Sequence, residues 1–137
     1  MSDSVFSMDD IRVSEGDDKH GNATKAVLHQ VKDVETALFC LKPGGAVKAH
    51  SHSDVWDLFI GVSGTGSITF IENDQLSVTA MKEWSFCAMP PNVVHEVRNL
   101  SDTDDLMFLL LHTPWEGYDF IPSKLIEAAE VKDVEKG

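Results

Sequence analysis

The sequence predicts an all-β domain, a sandwich or barrel of short strands with a short helix appended at its C-terminal end. Two observations carry that reading. From residue 26 to residue 112, runs rich in Val, Ile, Leu and Phe alternate with turn clusters at about ten-residue spacing, the pattern left by successive strands of a stacked or closed sheet. Only beyond residue 122 does the apolar period lengthen to that of a helix. The 137 residues, 42% of them hydrophobic, suffice for one domain with its own core and are too few for two.

The elements follow in order. Residues 1–25 are polar and acidic, with Ser, Asp and Gly clustered over 14–22, and read as an N-terminal arm with one candidate strand near 11–13. The barrel unit spans 26–121, with strands expected at 26–31, 35–41, 46–50, 55–62, 66–71, 75–79, 84–89, 95–99 and 106–112. The intervening segments, among them Lys42-Pro43-Gly44-Gly45, Ser63-Gly64-Thr65, Glu72-Asn73-Asp74 and Pro90-Pro91-Asn92, are made of residues that turns favour. In the tail, 122–137, Ser123 can cap a helix over 124–136 whose apolar stripe is Leu125, Ala128, Ala129 and Val131.

Charge narrows the partners. Eleven Lys and Arg against 23 Asp and Glu give a net charge of −12, and Arg12 and Arg98 are the two arginines. Such a field repels phosphate backbones and anionic lipid, so neither nucleic acid nor a membrane is an expected partner. The apolar run 106–111 is far too short to span a bilayer. The opening MSDSVFSMDD has no basic segment followed by an apolar one, so the expected compartment is the cytoplasm. Cys40 and Cys87 are then expected as reduced thiols. No nucleophile–base pair stands out, and Ser63-Gly64-Thr65-Gly66 lacks the Lys-Ser/Thr and helix that a phosphate loop requires.

The chemistry lies in an arrangement of histidines. His50 and His52 are two apart at the end of a predicted strand, so their side chains leave by the same face. Asp57 opens the next apolar run, where a carboxylate is locally out of place, and His95 opens a strand just after Pro90-Pro91-Asn92. Singly, each is an ordinary surface or structural residue. If their strands are neighbours, three imidazoles and a carboxylate converge, a donor set suited to transition metals.

At this point the sequence resembles the cupins. Their first motif is matched in spacing by Gly44, His50, His52, Asp57 and Gly64, and their second by Trp84, Pro90, Asn92, His95 and Asn99. The departures are three: Asp57 is one methylene shorter than the usual Glu, and Trp84 and Asn92 replace glycines. Trp84 is expected to remove an option for positive φ, whereas Asn tolerates such a turn position. The resemblance implies a double-stranded β-helix, the cupin jelly-roll barrel. It also implies a divalent transition metal (Fe, Mn, Ni or Zn) held by His50, His52, Asp57 and His95, and a homodimer.

Within that frame, strand parity turns Phe59, Val97 and Asn99 inward as pocket-lining candidates. His112, at the end of an apolar strand, is either a group beside the metal or a structural histidine. Trp115 and Tyr118, with Phe120, either form a lid over a ligand or cover the barrel end or a dimer partner. The expected function is action on a small organic molecule, with dioxygenase-type oxidation first. A metal-assisted isomerase or lyase, a non-catalytic small-ligand binding or sensing module, and a structural or storage role are the alternatives.

Overall fold

Ten antiparallel strands, in the residues 14–15 and 20–125 that the computed structural model describes, form one sheet that curls into a nearly closed barrel. In chain order they are β1 (Ser14–Glu15), β2 (His20–Gln30), β3 (Glu35–Ser51), β4 (Trp56–Ser63), β5 (Thr65–Glu72), β6 (Gln75–Lys82), β7 (Phe86–Met89), β8 (His95–Asn99), β9 (Leu106–Thr113) and β10 (Ile121–Pro122). Their order across the sheet is β6-β5-β8-β3-β9-β4-β7, with β2 and β10 also paired to β3 and β1 to β2. The expected all-β barrel is therefore present.

The runs expected at 35–41 and 46–50 are one strand. Residues 35–41 of β3 pair with β9, while Ala46, Val47 and His50 pair with β8. Between them, Lys42-Pro43-Gly44-Gly45 reads as a turn in the sequence yet acts as a corner: opposite it, β2 advances only from Gly21 to Ala23. An extra loop of backbone on one strand bends it, and proline and glycine supply that bend without losing the strand's direction. Gly44 takes φ +75°, open to glycine at no steric cost.

Two further differences lie at the ends. β2 starts at His20, six residues before the first predicted strand, because His20 to Lys25 pair through their backbone with β3 and need no apolar alternation to do so. The strand expected near 11–13 lies outside the described residues, although Ser14–Glu15 beside it forms β1. Of the helix expected over 124–136, all but Lys124 and Leu125 lies outside them too.

The interior is filled by Phe39, Leu41, Val47, Phe59, Ile68, Met81, Val97, Leu106, Phe108 and Leu110, all buried. Phe39 and Phe108 stack with ring centroids 5.3 Å apart, and Phe59 leans on Phe108 at 5.7 Å. This core reaches the histidines through Phe59, whose ring lies 5.9 Å from that of His95. Cys40 and Cys87 are free thiols, as expected, and burial raises the pKa of both.

The barrel nearly closes where Gly61 of β4 donates to the Ser85 carbonyl and accepts from the Trp84 N–H. A Cβ on Gly61 would sit 1.7 Å from the Lys82 carbonyl oxygen, so this approach requires glycine. Trp84 itself corrects an expectation. It keeps the left-handed conformation, φ +66°, that a glycine at this motif position would adopt. The backbone bond to Gly61 holds it there, and its ring is 83% exposed. Asn92 likewise takes φ +67°, as expected of asparagine. Relief of left-handed strain at an exposed tryptophan outweighs the extra chain entropy of glycine. Trp84→Gly is therefore expected to raise stability by about 0.5–1 kcal/mol, read as a higher urea midpoint with an unchanged m-value.

Candidate metal centre

The pairing of β3 with β8 brings the two histidine motifs together. His50 and His95 are direct cross-strand partners, and His52 follows just beyond the end of β3. The turn bearing Asn92 is tied to the same place, since its N–H donates to the His52 carbonyl at 2.7 Å. Asp57 enters from β4. The ligand atoms of His50, His52, Asp57 and His95 lie within 4.8 Å of one another, and all four residues are buried.

Backbone carbonyls decide which way the rings face. His50 Nδ1 lies 2.7 Å from the Lys48 carbonyl, His95 Nδ1 lies 2.8 Å from that of Val93, and His52 Nδ1 meets that of Asp119. A carbonyl oxygen can only accept, so each Nδ1 carries a proton, and Nε2 is the ring nitrogen that each histidine turns toward the centre. There Asp57 Oδ2 stands 2.9 Å from His95 Nε2, 3.1 Å from His52 Nε2 and 3.9 Å from His50 Nε2. Acceptors face acceptors in a dry interior, an arrangement that needs a proton or a metal cation between them. The four residues can hold a metal ion, and the donor chemistry fits one.

Burial and the Asp57 carboxylate pull the rings in opposite directions. Burial, reinforced by the neighbouring His95, pushes the His50 pKa down to about 3. Burial also opposes charging of His52, but its hydrogen bond to Asp57 and that carboxylate's charge prevail and raise its pKa. Burial would raise Asp57, yet hydrogen bonds from His112, His52 and His95 hold it well below the usual carboxylate range.

An aromatic segment covers the centre. After β9 the chain turns through a short 3-10 segment, Trp115–Gly117, anchored by its N–H groups to the carbonyls of Asp33 and Lys32. Phe120 stacks on His50 with centroids 4.5 Å apart, and Tyr118 lies 5.1 Å from His52 and 4.9 Å from His112. Trp115 completes the cover against Tyr118 at 4.5 Å. The Asp119 carboxylate accepts from the Ser53 N–H and hydroxyl at 2.8 and 2.6 Å, clasping the cover to the loop after His52.

The remaining pocket candidates separate. Phe59 presents its ring to His95 at 5.9 Å, and Val97 belongs to the apolar core. Asn99 lies at the far end of β8, where it bonds the carbonyls of Leu41 and Asp104 and the N–H of Ser101, thereby holding the 101–105 turn. His112 donates from Nδ1 to Asp57 Oδ1 at 2.7 Å. Two participants carry no mark in the motifs. Asp119 meets His52 through its backbone carbonyl and has no sequence signal. Glu35, buried beside His112, shows the one that exposed Asp57: an acid at the head of an apolar run.

Residues 37–112 match the cupin domain family. The chain is a cupin. Solved structures agree on the fold. A double-stranded β-helix protein from Klebsiella pneumoniae subsp. pneumoniae is 19% identical with a TM-score of 0.69, covering 88% of this cupin and 98% of that chain. The cupin-2 domain of Rru_A2000 from Rhodospirillum rubrum is 16% identical at 0.70, covering 98% and 87%. An oxalate decarboxylase from Lactobacillus farciminis, determined as a formate complex, is 18% identical at 0.67, covering 85% of this cupin and 35% of that longer chain. No curated protein sequence matches significantly. Among the described residues no helix is long and apolar enough to cross a membrane.

The buried His50 makes the cupin's stability depend on pH. Its folded-state pKa lies below the unfolded value near 6.5, so unfolding takes up a proton between those values and stability falls as pH drops through that window. In chelator-treated protein the urea midpoint is expected to fall between pH 6.5 and 4, and less steeply in His50→Gln.

Proposed function

We propose that this cupin is a metal-dependent enzyme that oxidises a small organic molecule by dioxygenase-type chemistry, with His50, His52, His95 and Asp57 as the ligands of a divalent Fe, Mn, Ni or Zn ion. The observation that carries the proposal is the convergence of three Nε2 lone pairs and one carboxylate, each ring oriented by a backbone carbonyl. A divalent ion held there would supply Lewis acidity and, if redox-active, reactivity toward dioxygen.

The chain's own residues supply the rest. Three carbonyl-bound Nδ1–H groups fix the ligand tautomers, which keeps the donors aimed and raises their basicity. Trp115, Tyr118 and Phe120 exclude water from the ligands and offer flat apolar faces to a substrate, the usual complement of a small polar centre in a binding site. Phe59 closes the opposite side against His95. No nucleophilic side chain is required.

One observation favours a second reading, a non-catalytic small-ligand binding module. Phe120 stacks directly on His50, so a ligand must displace or share that face, as in a site built to retain what it binds.

Metal analysis of protein purified without chelator or a metal-affinity tag is expected to find about one transition-metal ion per chain, and His50→Ala or His52→Ala to weaken binding more than about tenfold. Metal-free wild-type protein that takes up none of the four ions would overturn the proposal. Oxygen uptake by the iron-loaded protein across catechols, thiols and diketones separates the readings. Turnover supports the enzyme, while a ligand that raises the melting temperature without oxygen uptake supports the binding module.

A further inference from the structure

A single row of side chains runs across neighbouring strands to the metal centre. Gln30 of β2 is the register partner of Glu35 on β3, Glu35 of His112 on β9, His112 of Asp57 on β4, and Asp57 of Met89 on β7. Directly opposed residues present their side chains to the same face, within reach of one another. The polar members use that reach. Gln30 Nε2 donates to Glu35 Oε2 at 2.6 Å, Lys25 Nζ lies 3.1 Å from Glu35 Oε1, and Glu35 Oε1 lies 3.9 Å from His112 Nε2. His112 Nδ1 then donates to Asp57 Oδ1 at 2.7 Å. Glu35, His112 and Asp57 are all buried, although no metal-ligand motif includes Glu35 or His112.

A carboxylate can turn about its terminal bond and offer either oxygen. At Asp57 the hydrogen bond from His112 engages Oδ1, so Oδ2 is the oxygen left facing His50, His52 and His95. His112 cannot readily turn away. Its ring is bounded by Tyr118 at 4.9 Å, His52 at 5.3 Å and Trp115 at 5.9 Å, with Glu35 beyond Nε2.

We propose that His112 is a positioning residue for the metal centre, orienting the short Asp57 carboxylate so that Oδ2 serves as the ligand atom. The inference rests on the metal-binding reading above and adds a residue outside the ligand set. The effect runs through Asp57, which separates it from a general contribution to stability.

Cobalt(II) is the probe, because its visible absorption reports coordination and its binding is measured without turnover. His112→Leu is expected to fold, to bind cobalt(II) about 10–100-fold more weakly and to change the visible spectrum. His112→Asn, which restores an N–H donor near the Nδ1 position, is expected to recover most of the affinity and the wild-type spectrum. In an Asp57→Asn background the same His112→Leu change is expected to have little further effect, since coupled residues are not additive. If His112→Leu does not fold, the more adaptable His112→Met carries the same comparison. An unchanged affinity and spectrum in His112→Leu, or an undiminished loss in the Asp57→Asn background, would overturn the inference while leaving the metal centre standing. Wild-type protein that binds no cobalt(II), nor any of the four ions proposed above, overturns the metal-binding reading and the inference with it.

Discussion

The constraint on which this molecule turns is the gathering of hydrogen-bond acceptors in a dry place. Three imidazole lone pairs and a carboxylate oxygen meet at one point, where no water shell can separate them. Everything nearby serves to keep them there. Backbone carbonyls hold the far nitrogens of the rings, a neighbouring histidine holds the far oxygen of the carboxylate, and an aromatic segment closes over the top. Left neutral and empty of cations, the cluster would strain the fold; occupied by a positive charge, it becomes a cross-link among β3, β4 and β8. Binding free energy at such a point is also folding free energy.

The cross-strand registers explain how a chain this short assembles the cluster. His50 and His95 meet because β3 and β8 are paired there, while Asp57 meets His112 because β4 lies on β9. The apolar rings of Phe39, Phe59 and Phe108 fix those registers from the core, since a slip by one residue would send each ring to the wrong face. Core and site are thus two ends of the same strands: packing sets the alignment, and the alignment delivers the donors.

Much of this was legible in the sequence, and the exceptions have physical causes. Alternating apolar runs marked most of the strands, and the spacing around His50, His52, Asp57 and His95 marked the cluster before any coordinates. Lys42-Pro43-Gly44-Gly45 misled because proline and glycine signal a bend without saying whether the strand resumes its course beyond it. Trp84 misled because a bulky residue rarely tolerates left-handed backbone, and only its bond to Gly61 shows why it does here. The largely polar residues 20–25 hid a strand whose pairing with β3 needs no apolar alternation. Asp119 was invisible because the group that matters to His52 is a peptide carbonyl, which every residue possesses. Glu35 could have been found by the reasoning that found Asp57.

The corner in β3 has a consequence for how this barrel moves. One strand is shared by β2, β8, β9 and β10, so the sheet has no smaller unit around the histidines that could open by itself; exposing His50 means breaking pairings on both sides of the corner. The cover carrying Trp115, Tyr118 and Phe120 is joined by far fewer main-chain bonds. Excursions of the native state therefore divide into two kinds. Opening the cover breaks few main-chain bonds, whereas an opening that releases His50 or His95 carries a cost approaching that of unfolding the whole domain. An ion held by His50 and His95, as proposed, would be lost without dismantling the barrel only if its bonds let go one at a time.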